Sequence, residues 1–135
     1  MLKRFIKDEI YGKDFTVYAL VSDRDVATVN AYYHGALLDI IRGSSAFVAR
    51  VERNGQSSTI MVLCPGYGET DIVHEIIHHA TCTFKEIGIV IEHGQDEPFA
   101  YYVEYILRKC LKAMAKRKVK LKTGTRSKNT SKRST

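Results

Sequence analysis

The sequence predicts an α+β fold, in which a small sheet with a β-hairpin packs on a histidine-bearing helix and on a second, glutamate-bearing helix. Two segments in which apolar and polar residues alternate flank Asn54-Gly55, a dipeptide typical of a two-residue hairpin turn. Two segments with helical spacing follow the hairpin, and a strand-like segment precedes it. The chain has 135 residues, 44% of them hydrophobic, which is enough to form one core.

The first half of the chain is expected to act as scaffold. Phe15–Val21 is rich in β-branched and aromatic residues, which predicts a strand. Ser22 and Asp25 then resemble a capping box, so we expect a helix that begins here and continues to about Ile41.

The hairpin strands are predicted at Ser45–Arg53 and Gln56–Cys64, where apolar and polar residues alternate. The element order is therefore β-α-β-β-α-α. If the second strand, Gln56–Leu63, lies at an edge of the sheet, it is a candidate for pairing with a substrate backbone. Alternatively, it is an inner strand with no such role.

The two C-terminal helices have recognisable ends. Thr70 is a suitable N-cap for the histidine-bearing helix, and Gly88 is a suitable residue just beyond its C-terminus. Asp96 is expected to cap the next helix, in which Pro98 is tolerated in the first turn. Apolar residues at helical spacing extend this second helix to about Lys118.

The first of these helices carries a metal-binding motif, His74-Glu75-Ile76-Ile77-His78. Residues four apart lie on the same face of a helix, so two imidazoles at this spacing can bind one Zn²⁺. Glu75 is then placed to reach a water on the metal rather than the metal itself. This is the H-E-x-x-H signature of zinc peptidases, in which the glutamate is the general base.

A catalytic zinc requires a third protein ligand. The metzincin spacing is excluded, because Phe84 occupies the position of its third histidine. Glu97, at the start of the second helix, is the favoured ligand, since that helix can pack antiparallel to the first. His93 and Glu104 remain alternatives.

Three further side chains have other expected roles. His79 is expected to be exposed or hydrogen-bonded, because it points about 100° away from His78. Cys82 is expected to be a small buried residue. His34 is expected to lie at a helix end.

The pattern of H-E-x-x-H followed about twenty residues later by Glu97-Pro98-Phe99-Ala100-Tyr101 resembles the minimal gluzincins. This group includes the ImmA/IrrE-type peptidases. The pattern is more similar still to small phage and prophage proteins with an H-E-x-x-H helix, and the resemblance covers roughly residues 45–108.

The resemblance implies a zinc metallopeptidase whose metal ligands are His74, His78 and Glu97 and whose base is Glu75. The chain departs from larger gluzincins at Tyr101, where they have an aspartate that orients a histidine. Tyr101 shares a helix face with Glu97. It is therefore a candidate either for a hydrogen bond that orients a metal ligand or for an oxyanion donor. A core aromatic with its hydroxyl at the rim is the other interpretation.

The net charge of +6 is unevenly distributed along the chain. From Arg108 onward there are twelve basic residues and no acidic ones, whereas the first 107 residues contain nine basic and fifteen acidic residues. We therefore expect a zincin-like domain at residues 1–118 and a basic, disordered tail at 119–135. The tail is a candidate for binding nucleic acid or an acidic protein partner.

The cysteine content and the lack of a long apolar segment suggest a cytoplasmic protein. If the chain is encoded by a phage, it is expected in the host cytoplasm or in the virion. Three cysteines without C-x-x-C spacing argue against a disulfide scaffold, and no apolar segment is long enough to span a membrane.

Three functions are compatible with these features. The first is a zinc-dependent hydrolase, most simply a peptidase, that cleaves a peptide or protein substrate. The second is a phage structural or accessory protein that keeps the zinc-binding fold without turnover, in assembly with other phage proteins. The third is a nucleic-acid-associated factor that acts through its tail.

Overall fold

The computed structural model describes residues 1–41, 43–92 and 96–116. The predicted tail at 119–135 therefore lies outside the described residues. The described chain contains four strands and four helices. The strands are β1 (Leu2–Ile6), β2 (Phe15–Ala19), β3 (Ala46–Arg53) and β4 (Gln56–Leu63). The helices are α1 (Asp23–Tyr32), α2 (Leu38–Ile41), α3 (Glu69–Glu86) and α4 (Glu97–Ala115).

The strands form one mixed sheet in the order β1-β2-β4-β3. β1 pairs antiparallel with β2, β2 pairs parallel with β4, and β4 pairs antiparallel with β3. The predicted α+β class is confirmed. Because β4 lies between β2 and β3 from Ile60 onward, its inner-strand interpretation is the correct one for that half, and β3 is an edge strand among the described residues.

Apolar residues cover both faces of the sheet. One face packs against α3 and α4, and the other packs against α1 and the segment around α2. The end of strand β4 is covered on both faces. Its last four residues alternate between the two clusters and are all fully buried, namely Ile60, Met61, Val62 and Leu63. A strand buried on both faces accounts for this continuous apolar run.

The hairpin turn agrees with its prediction. Asn54 and Gly55 both have positive φ, 53° and 77°, as a two-residue turn of type I′ requires. The first helix differs from its prediction. The continuous helix expected up to Ile41 is broken after α1, because His34 and Gly35 adopt φ values of 59° and 79°.

Helices α3 and α4 run in opposite directions. Phe84, near the end of α3, packs edge-on against Phe99, near the start of α4, with ring centroids 5.4 Å apart. The helix start predicted at Thr70 is two residues late, since Gly68 is the N-cap. Asp96 occupies the N-cap position of α4, as predicted, but its side chain accepts no capping hydrogen bond from the described residues. Gly88 has the positive φ (80°) expected just beyond α3.

Candidate metal centre

The first turn of α3 is fixed by Asp71. One of its carboxylate oxygens accepts a hydrogen bond from the backbone N–H of Gly68, at 2.8 Å, and the other accepts one from the Ser45 hydroxyl, also at 2.8 Å. These bonds hold the pKa of Asp71 below its ordinary value. Because Ile72 and Ile76 are buried in the core, His74 and His78 lie on the exposed face of α3.

His74 and His78 are brought together as the sequence predicts. Their Nε2 atoms are 3.0 Å apart, and the two ring planes are inclined at 78°. Two nitrogens bound to one tetrahedral zinc at 2.0–2.1 Å would lie about 3.3 Å apart. A small rotation of either ring therefore suffices to give the separation that a shared zinc requires, so this pair fits the metal.

Glu75 lies in a different environment from its two neighbours in the motif. Only 6% of its surface is exposed, and it belongs to the buried stripe of α3 together with Ile72 and Ile76. No side chain or backbone group among the described residues donates a hydrogen bond to its carboxylate. The lone pairs of this carboxylate are therefore not used by the described residues.

Glu97 and Tyr101 are both exposed, with Tyr101 at 66%. Because α4 begins beside Phe84, Glu97 starts near the C-terminal end of α3. Phe84 follows His78 by six residues, which corresponds to about 9 Å along the helix axis. The core-aromatic interpretation of Tyr101 does not describe its position, since Tyr101 is exposed and its neighbour Tyr102 is buried instead.

No group of three or more His, Cys, Asp and Glu side chains that could hold a metal occurs in residues 1–41, 43–92 and 96–116. The histidine pair thus fits zinc, but the described part of the chain does not bring Glu97 alongside it. Of the alternative ligands, Glu104 is exposed and ion-paired with Arg108. His93 lies outside the described residues. Glu97 as third ligand stays a prediction.

The expected roles of the three other side chains have mixed outcomes. His34 follows the end of α1, as expected. Cys82 is exposed, so its prediction as a buried residue is wrong. The reason is its position one residue before the buried stripe, which continues through Thr83 and Phe84. His79 is buried and hydrogen-bonded, in agreement with one of its two expected roles.

His79 belongs to a buried cluster of polar side chains that was not predicted from the sequence. It consists of Asp8, His79, Thr83 and Tyr102. The Tyr102 hydroxyl donates to Asp8 at 2.7 Å and lies 3.5 Å from Nε2 of His79. The Asp8 carboxylate also accepts three backbone N–H groups of its own loop, from Ile10, Tyr11 and Lys13. The i, i+4 spacing of His79 and Thr83 on a mainly apolar stripe of α3 was the available signal.

Burial and hydrogen bonding oppose each other in this cluster. Burial disfavours the ionised form of Asp8, which is 2% exposed, but the bonds from Tyr102 and from three backbone groups outweigh it and lower the pKa of Asp8. Burial also lowers the pKa of His79, against the attraction of the Asp8 carboxylate. His79 is therefore neutral near pH 7, and it lines a cleft of about 580 Å³ together with Cys82 and Glu86.

The Asp8–Tyr102 hydrogen bond should contribute measurably to stability. Tyr102→Phe should lower the free energy of unfolding at pH 7 by about 1.5–3 kcal/mol, because it removes a buried bond to a charged acceptor. The folded-state pKa of Asp8 lies below its ordinary 3.8, so this stability is present above pH 3.8 and is lost as the pH falls through the folded pKa. Urea unfolding at pH 7 and at a pH low enough to protonate Asp8 in the folded protein measures both effects.

The control is Tyr101→Phe, which removes an exposed hydroxyl from the adjacent residue and should leave stability within about 0.5 kcal/mol. A loss from Tyr102→Phe that is equal at both pH values would contradict the role given to ionised Asp8.

This sequence matches no protein-family profile, no curated protein and no solved structure. None of the helices in the described parts of the chain is both long and apolar enough to cross a membrane.

Proposed function

We propose that the protein is a zinc-dependent hydrolase that acts on peptide bonds. The observation that carries this proposal is the pair of Nε2 atoms of His74 and His78, which face each other 3.0 Å apart on an exposed helix face. Two imidazoles on consecutive turns can present their nitrogens to one ion without rearranging the backbone. Their exposure leaves the site accessible to a chain as large as a peptide.

Zinc bound by this pair would supply a water with a pKa near 7 and a positive charge beside the scissile carbonyl. The protein's own contribution to turnover is assigned to Glu75. Its carboxylate has no hydrogen bond from the described residues, so its lone pairs are available to take a proton and return it to a leaving amine. Tyr101 is assigned to steadying negative charge on the substrate through its exposed hydroxyl.

A second function is favoured by two other observations. Glu75 lies in the buried stripe of α3, and the described residues bring no third metal-binding side chain to the histidine pair. A site with these properties suits a protein that binds zinc for structure or assembly and does not turn over substrate. A phage accessory protein that keeps the zinc-binding fold is such a case.

Zinc content and peptide cleavage, measured on one preparation, distinguish the two functions. The hydrolase should contain about one zinc per chain and cleave members of a peptide library. Removal of the metal with a chelator should abolish cleavage, and added Zn²⁺ should restore it. Stoichiometric zinc without cleavage would establish the accessory function instead, and a chain that binds no zinc would contradict both.

A further inference from the structure

A basic groove lies between the end of β1 and the last three turns of α4. Its volume is about 570 Å³. Five basic residues and one acidic residue, Glu9, line it. The basic residues are Lys7, Arg108, Lys109, Lys112 and Lys116. Since the first 107 residues carry more acidic than basic residues, this concentration of positive charge is a local feature of the surface.

No carboxylate among the described residues pairs with the lysines of the groove. Lys109 is held in place, because its ammonium donates to the backbone carbonyl of Lys7 at 2.7 Å and to the Tyr105 hydroxyl at 3.3 Å. Lys7, Lys112 and Lys116 make no ion pair with any residue that the structure describes. Their charges are therefore available to a ligand. Arg108 is neutralised in part by Glu104.

Aromatic side chains accompany these charges. Phe5 lines the groove and is 65% exposed, and the half-buried Tyr105 lies below the Lys109 ammonium, 5.3 Å from it. A large aromatic ring with two thirds of its surface in water is available for stacking. Basic grooves that follow a phosphate backbone, combined with rings on which bases stack, are the usual design of single-strand-binding proteins.

We propose that this groove binds single-stranded nucleic acid, with phosphates along Lys7, Lys112 and Lys116 and a base stacked on Phe5. Lys112 and Lys116 are one helical turn apart, so they form a row along the groove rather than a point. An acidic polypeptide would use the same charges but would have no use for the exposed ring. The proposal is independent of the zinc site, because none of these residues belongs to α3.

The test measures binding of the full-length chain to a fluorescent 12-nucleotide oligothymidine as a function of salt. Lys7→Ala/Lys112→Ala should weaken binding at least tenfold at 100 mM salt. It should also reduce the slope of log Kd against log salt by about 1.4, as expected for two lost phosphate contacts on a single strand. The matched control, Arg24→Ala/Lys85→Ala, removes two exposed charges outside the groove and should leave the slope unchanged.

The aromatic part of the proposal has its own variant. Phe5→Ala should weaken binding about tenfold without changing the salt slope, because it removes stacking and no charge. Val21→Ala, another exposed apolar position, is the control and should bind like the wild type.

Two outcomes would overturn the proposal. If Lys7→Ala/Lys112→Ala binds with the wild-type affinity and slope, the basic sequence beyond Lys116 binds the oligonucleotide without the groove. If polyglutamate of equal charge displaces the oligonucleotide at equal concentration and Phe5→Ala has no effect, the groove recognises acidic polypeptide. Circular dichroism of each variant verifies its fold, which should persist because Lys7, Lys112 and Phe5 are all exposed.

Discussion

Glu75→Gln should retain zinc and the fold while it lowers peptide hydrolysis by a factor of about 10²–10⁴ or more, the range that a general base contributes. The amide has nearly the same shape as the carboxylate but cannot accept a proton from water. Folding stability should be nearly unchanged, because the amide fills the same space as the carboxylate. The measurements are zinc content, thermal unfolding and the rate on a peptide that the wild type cleaves.

The matched control is Glu69→Gln, an exposed glutamate in the first turn of the same helix, which should cleave at the wild-type rate. Loss of zinc from Glu75→Gln would make this residue a ligand rather than the base. An unchanged rate would remove it from the reaction and would favour the accessory function.

Local signals in the sequence predicted much of the fold correctly. The Asn54-Gly55 turn fixes the hairpin, because both residues tolerate positive φ. Ser22 accepts a hydrogen bond from the N–H of Asp25, which confirms the predicted start of α1. Asp96 starts α4 as expected. Each of these features is decided by residues within a few positions of one another.

Features that depend on distant residues were not predictable. Strand β1 contains the consecutive basic residues Lys3 and Arg4 and does not alternate apolar with polar residues, yet it pairs along its whole length with β2. The parallel pairing of β2 with β4 joins segments more than forty residues apart, and no local pattern indicates it. The break after α1 depends on His34, whose left-handed conformation is unusual for a residue other than glycine.

In the candidate site, too, contacts between nearby residues were predictable and contacts between distant residues were not. The spacing of His74 and His78 on one helix predicted their contact, because helix geometry alone determines it. The placement of Glu97 depends on how α4 packs against α3, which the pairing of Phe84 with Phe99 decides. His79 differs from His78 by one position but lies in the core, where Asp8 from the opposite end of the sequence joins its cluster.

The histidine pair gives the other large expected effect. His74→Ala and His78→Ala should each weaken zinc binding by more than about 100-fold, because loss of even an outer partner of a metal site costs 10–100-fold. Both side chains are exposed, so neither substitution should unfold the protein. Competition with a chromophoric chelator measures the affinity. His34→Ala, which removes an exposed histidine from the turn after α1, should bind zinc like the wild type.

Glu97→Ala then identifies the third ligand. If its zinc affinity falls as far as that of the histidine variants, Glu97 completes the site, and the start of α4 must approach His78 when the metal is bound. If more than half of the zinc is retained, the third ligand is His93 or Glu104, and the same measurement on His93→Ala and Glu104→Ala decides between them. Wild-type affinity in both His74→Ala and His78→Ala would refute the metal site itself, since no other pair of imidazole nitrogens faces one another among the described residues.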